Sequence, residues 1–145
     1  MRAHEGMEMG FSAERYSGLA GFRHALRSFL ASSEAICRQA GVTTTQYQAM
    51  LVLGCVAQRV SIKQLAEQLQ LKHHSAVQLV DRLSDMGLVE RLASKDDARV
   101  ALVVLTAKGE SKLEATAELH LKEMLKQEPR LTRSLRLLRK QGTRK

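Results

Sequence analysis

Apolar positions recur at three-and-four spacing over residues 12–40, with Leu19, Phe22, Leu26, Phe29 or Leu30, and Ile36 or Cys37 in one stripe. That is the period of an amphipathic helix, and no proline interrupts it. Gly41 stops the helix. Thr43 with Gln46 three residues later is a capping box, and it opens a second helix over about residues 44–56 whose interior, Met50-Leu51-Val52-Leu53, is apolar throughout. Ser61 with Gln64 repeats the box and starts a short third helix, residues 62–69, with Ile62, Leu65, Ala66 and Leu69 on one stripe. A fourth follows over about residues 73–86. There Ala76, Leu79, Val80 and Leu83 form an i, i+3, i+4, i+7 stripe that Gly87 ends.

After Gly87 the period changes. Residues 88–92 and 99–105 are β-branched and apolar, and Ser94-Lys95-Asp96-Asp97 between them is turn chemistry, so a hairpin is expected. Thr106 caps a fifth helix to about residue 127, Pro129 ends it, and Leu131, Leu135 and Leu138 support a short, basic sixth helix. No repeat or low-complexity tract interrupts this order. The expected fold is mainly α: four helices, two strands, two helices, enclosing a helix-turn-helix followed by a β wing. One domain accounts for residues 1–145, with the winged helix-turn-helix at 43–105 between long outer helices at 12–40 and 106–140.

A chain of 145 residues with 44% hydrophobic and 26% charged side chains has ordinary globular composition. Its longest apolar stretch, residues 49–57, has nine residues even with Gly54 counted, well short of the roughly 18 to 20 a membrane span needs. The N-terminus lacks the apolar core of a signal peptide, so a cytoplasmic protein is expected. Cys37 and Cys55 have no metal-ligand spacing and form no disulfide framework. His4, His24, His73, His74 and His120 offer no paired ligand spacing beyond the adjacent His73 and His74. There is no glycine-rich phosphate loop, no nucleophile beside a base, and no carboxylate pair beyond the turn acids Asp96 and Asp97. Neither catalysis, a metal nor a cofactor is expected.

The net charge of +8 points to an anionic partner such as nucleic acid. Its distribution tempers that: from Pro129 onward there are seven basic residues and no acid, leaving only +1 on residues 1–128. A helical adaptor that holds nucleic acid without sequence preference through this basic tail is therefore one reading. The fourth helix supports another. Burying Ala76, Leu79, Val80 and Leu83 turns His74, Ser75, Gln78 and Arg82 away from the core. Histidine, serine, glutamine and arginine can all reach base edges or phosphates in a major groove. Asp81 and Asp85 also face outward and repel phosphate, so only the N-terminal half of the helix is expected in the groove.

The wing carries the sharper signal. Gly87-Leu88-Val89-Glu90-Arg91, then Asp97-Ala98-Arg99, then Leu105-Thr106-Ala107-Lys108-Gly109 resembles the hallmark of the MarR (multiple antibiotic resistance regulator) family: Gly-Leu-Val-Glu-Arg, Asp-x-Arg and Leu-Thr-x-x-Gly, in order and at family spacing. Upstream, Thr43-Thr44-Thr45-Gln46-Tyr47 and the run from His74 to Leu83 are similar as well, so that residues 42–109 match specifically and the outer helices in kind.

The resemblance implies a bacterial winged-helix regulator, dimeric through its first and last helices, that binds pseudo-palindromic double-stranded operator DNA and represses transcription. It places His73, His74, Ser75, Gln78 and Arg82 on the recognition helix, Gln78 standing where many relatives carry arginine. At the wing it implies that Arg99 reaches the minor groove, held by Asp97, with Lys95 beside it. A dimer interface would draw on Leu19, Phe22, Leu121, Leu125, Leu131, Leu135 and Leu138. A small-molecule effector, an aromatic anion in many relatives, would meet Arg23, Arg27 and Tyr47. Some relatives sense peroxide through a first-helix cysteine, where Cys37 lies, although it sits near that helix's end among Ile36 and Ala40.

Overall fold

The computed structural model describes residues 11–55 and 59–141. Five helices and three strands follow one another: α1 (Ala13–Ala40), α2 (Thr44–Cys55), β1 (Val60–Ser61), α3 (Ile62–Leu69), α4 (His73–Asp85), β2 (Val89–Ala93), β3 (Ala101–Leu105) and α5 (Ala107–Gln141). Both capping boxes form. Thr43 and Gln46 exchange backbone-to-side-chain hydrogen bonds of 3.0 and 2.9 Å at the start of α2, as Ser61 and Gln64 do at α3.

The chain divides into two units. The larger, residues 33–121, holds α2 to β3 with the end of α1 and the start of α5. Its core is Met50, Leu65, Val80, Leu83 and Leu88, all with no exposed surface, closed by Val60 and Val103 of the sheet. That sheet is antiparallel in the order β1-β3-β2, with Val60 opposite Val103, and Val89 to Ala93 opposite Leu105 to Ala101. The expected hairpin is present, two residues shorter on its second strand. The two-residue β1 has no period to be read and shows only as the edge partner of β3.

Gly109 explains why glycine follows Leu105-Thr106 at its fixed distance. A Cβ there would lie 2.0 Å from the Leu88 carbonyl oxygen, which accepts the Thr106 N–H at 3.0 Å. Thr106 Oγ1 donates to the Gly87 carbonyl and accepts from the Gly109 N–H at 3.0 Å. The first and last segments of the motif thus meet backbone to backbone.

The smaller unit comprises, among the described residues, 11–32 and 122–141. In it Ser134 is buried, and Cβ atoms at Gly18 and Gly21 would meet Leu138 and Ser134, so small residues let α1 and α5 approach closely. This corrects the expectation of two final helices, since α5 runs unbroken through Pro129. A proline in a helix interior costs about 3 kcal/mol and one hydrogen bond. The packing of Ser134 and Leu138 against α1 holds the downstream turns in helical register and outweighs it. Leu19, Leu26 and Leu30 of α1 and Leu121, Leu125 and Leu135 of α5 are all exposed, at 43–63%.

Candidate nucleic-acid interface

α3 and α4 are joined by a tight turn. Gln70 adopts the left-handed conformation (φ 55°) and the Leu71 N–H reaches the Ala66 carbonyl at 2.9 Å. α4 then starts at His73 with Lys72 in the cap position, where no side chain bonds the first-turn N–H groups. Those donors and the positive end of the helix dipole are left to solvent or to an anion. Ala76, Leu79, Val80 and Leu83 are buried as their stripe requires. His73, His74, Gln78 and Arg82 are exposed, whereas Ser75 is half-buried, turned further toward the core than the helical wheel suggests.

At the wing tip Arg99 and Asp97 form a compact unit. Asp97 Oδ1 accepts the Arg99 N–H at 3.0 Å and Nε–H at 3.1 Å, and Oδ2 lies 3.4 Å from Nη2. The backbone bond first, then the guanidinium, holds the Asp97 carboxyl below its ordinary range. The Arg99 side chain is 91% exposed, so its remaining donors point to solvent from a backbone-anchored base. Lys95 is exposed on the same turn. The carboxylate restricts the arginine before any groove is met, which lowers the entropy lost on binding.

From the sequence alone, Asp81 is an acid on the outer face of α4 that opposes phosphate. In the structure Arg91 of β2 donates to it, forming an ion pair from the wing strand to the helix. The Glu90-Arg91 dipeptide was visible, but its partner lies ten residues upstream in another element, and only the fold brings them together. The carboxylate that would oppose phosphate is thereby neutralised.

The residues suggested for an effector divide between the units. Arg23 and Arg27 are exposed on α1 in the smaller one. Tyr47, in the larger, is buried with its ring stacked on His120 at 4.1 Å between centroids. His120 Nδ1–H donates to the Thr116 carbonyl at 2.8 Å, which leaves Nε2 to accept from the Ser33 hydroxyl, also at 2.8 Å. Cys37 Sγ lies 4.0 Å from the same nitrogen. Burial pushes the Cys37 thiol up, against a smaller opposing effect of Ser33, and burial likewise raises Tyr47, with Cys37 a second cause. A buried, protonated thiol is the reverse of the exposed thiolate that peroxide sensing needs. No group of three or more metal-ligating side chains occurs among the described residues, and no described helix is long and apolar enough to cross a membrane.

Residues 40–100 match the sequence model of the MarR family. No curated protein matches the chain. Among solved structures it is similar to NadR in complex with 4-hydroxyphenylacetate, with 26% identity, a TM-score of 0.68, and 94% of this chain and 93% of that one covered. It is similar also to wild-type apo MarR from E. coli, with 20% identity, a TM-score of 0.69, and coverage of 93% and 99%. A mutant of S. aureus MepR bound to an oligodeoxyribonucleotide aligns with 22% identity, a TM-score of 0.66, and 81% of each chain covered. The last two likenesses establish the winged-helix fold.

Proposed function

We propose that this chain is a member of the MarR family, whose sequence model matches residues 40–100, and that it is a sequence-specific DNA-binding transcriptional regulator. It is a homodimer that represses from a pseudo-palindromic operator and lets go when an effector binds. The observation that carries this reading is the pairing of two exposed polar elements on one compact unit: the outer face of α4 and the Asp97-anchored Arg99 at the wing tip. α4 is the width of a major groove, and an arginine fork suits the narrow, electronegative minor groove. In this reading His73, His74, Ser75, Gln78 and Arg82 read the major groove, while Lys95, Asp97 and Arg99 serve the wing.

A dimer is supported by the exposed leucines. Leu19 on α1 and Leu121, Leu125 and Leu135 on α5 leave apolar surface that a second copy would cover, with the half-buried Phe22, Leu131 and Leu138 beside them. Two recognition helices then have to stand about 34 to 36 Å apart to enter successive major grooves. An effector that shifts this spacing releases the DNA. A small organic anion is the class of effector proposed, since the similar NadR structure holds 4-hydroxyphenylacetate.

The test is selection from a random duplex pool by the full chain. Enrichment of a pseudo-palindrome whose half-sites lie one helical turn or a multiple apart is the expected result. Failure to enrich any sequence, with binding governed by salt alone, refutes a sequence-specific regulator.

A further inference from the structure

The two units differ in charge. Residues 33–121 carry ten basic and ten acidic side chains, so the entire +8 excess lies in residues 1–32 and 122–145. The unit with the winged helix-turn-helix is electrically balanced, and the helical unit is strongly basic. Phosphate attraction scales with the cations a surface can bring to the backbone, so the charge needs an account of its own.

Part of it has a local explanation. Arg139 and Lys140 lie in the last turn of α5, where cations complement the helix dipole. Arg130, Arg133 and Arg136 do not, because they sit one and a half to three turns upstream, beyond the dipole's reach. All three are exposed, and among the described residues none forms an ion pair. At i, i+3 spacing they repel one another. The last acid before them, Glu128, already accepts a 2.7 Å hydrogen bond from Thr132. Ser134 of this segment is buried and Leu138 meets α1 at Gly18, while Leu135 remains exposed beside them. Arg133 and Arg136 lie on the side of the helix away from Ser134 and Leu138.

We propose that the Arg130, Arg133 and Arg136 face of α5 is a second, sequence-blind binding surface for the phosphate backbone of duplex nucleic acid. Guanidinium forks match phosphate oxygens in pairs. α5 carries no phenylalanine, tyrosine or tryptophan, so the helix that bears the three arginines offers no such ring of its own for stacking unpaired bases or anchoring at a membrane interface. Backbone contact to a duplex is what remains. This surface acts beyond the operator reading and does not depend on it.

The experiment titrates the full chain with a short random-sequence duplex from 50 to 200 mM salt. Arg130→Gln, Arg133→Gln and Arg136→Gln combined should flatten the log–log salt slope by two to three, about 0.9 per lost phosphate contact. Lysine at the three positions should preserve the slope, and circular dichroism should show the same helix content in all variants. An unchanged slope in the glutamine variant overturns the proposal. So does arginine-dependent binding to vesicles of 70:30 phosphatidylcholine and phosphatidylserine that exceeds binding to the duplex. Operator selection by the glutamine variant reports separately: it should persist if the winged unit reads sequence, whatever the slope does.

Discussion

Replacing Gly109 by alanine sets two effects against each other. Alanine is favoured over glycine in a helix by up to about 1 kcal/mol, so helix propensity alone predicts that this third residue of α5 would be stabilised. The structure predicts the opposite sign. The new Cβ would stand 2.0 Å from the Leu88 carbonyl oxygen and 2.9 Å from its carbon. Both are backbone atoms that cannot swing aside as a side-chain end can, and relief requires a shift of more than an ångström. That movement breaks the 3.0 Å bond from the Thr106 N–H to the Leu88 carbonyl, worth about 1 kcal/mol net. It also displaces the wholly buried Leu88 side chain, an overpacking cost of about 1 to 3 kcal/mol. After the propensity gain, a net loss of about 1 to 3 kcal/mol is expected. Urea denaturation measures it as a lower midpoint at constant m. Gly54→Ala is the control, because its Cβ would meet only side-chain ends, Leu113 Cδ2 at 2.7 Å and Leu105 Cδ1 at 4.0 Å, and should cost less than Gly109→Ala. A Gly109→Ala protein as stable as the parent, with unchanged m, would show that the Leu88 contact does not govern this position.

Three further outcomes are expected. Arg91→Ala should weaken operator binding by leaving Asp81 uncompensated, and adding Asp81→Asn should restore much of the loss; anisotropy titration checks this, and a double variant no better than the single one refutes it. Asp97 is held below the ordinary carboxylate range, so its contribution to the wing tip is fully present above that range and is lost only as pH falls through the lowered value. The Arg99 amide resonance should therefore move below about pH 4 and not between pH 5 and 8. Iodoacetamide should label exposed Cys55 long before buried Cys37, and equal rates would refute the buried, protonated thiol; mass spectrometry distinguishes them.

Local rules reached far into this protein because most of its elements announce themselves within a few residues. Two capping boxes, a four-residue core stripe on α4 and the turn chemistry at Ser94 to Asp97 each act at short range, so helix starts, the hairpin and the exposed set His74, Gln78 and Arg82 were legible from the chain. Asp97 and Arg99, two residues apart, belong to the same class. What the tertiary structure decided are contacts between residues distant in sequence. The two-residue β1 exists only because β3 accepts it. Asp81 is neutralised by an arginine from another element. Helix α5 continues through Pro129 because packing against α1 overrides a local breaking signal. The buried association of Ser33, Cys37, Tyr47 and His120 draws on three helices. Periodicity records which face of a segment is apolar, but which distant surface covers that face is settled by the packing of the whole chain, where burial outweighs local preference.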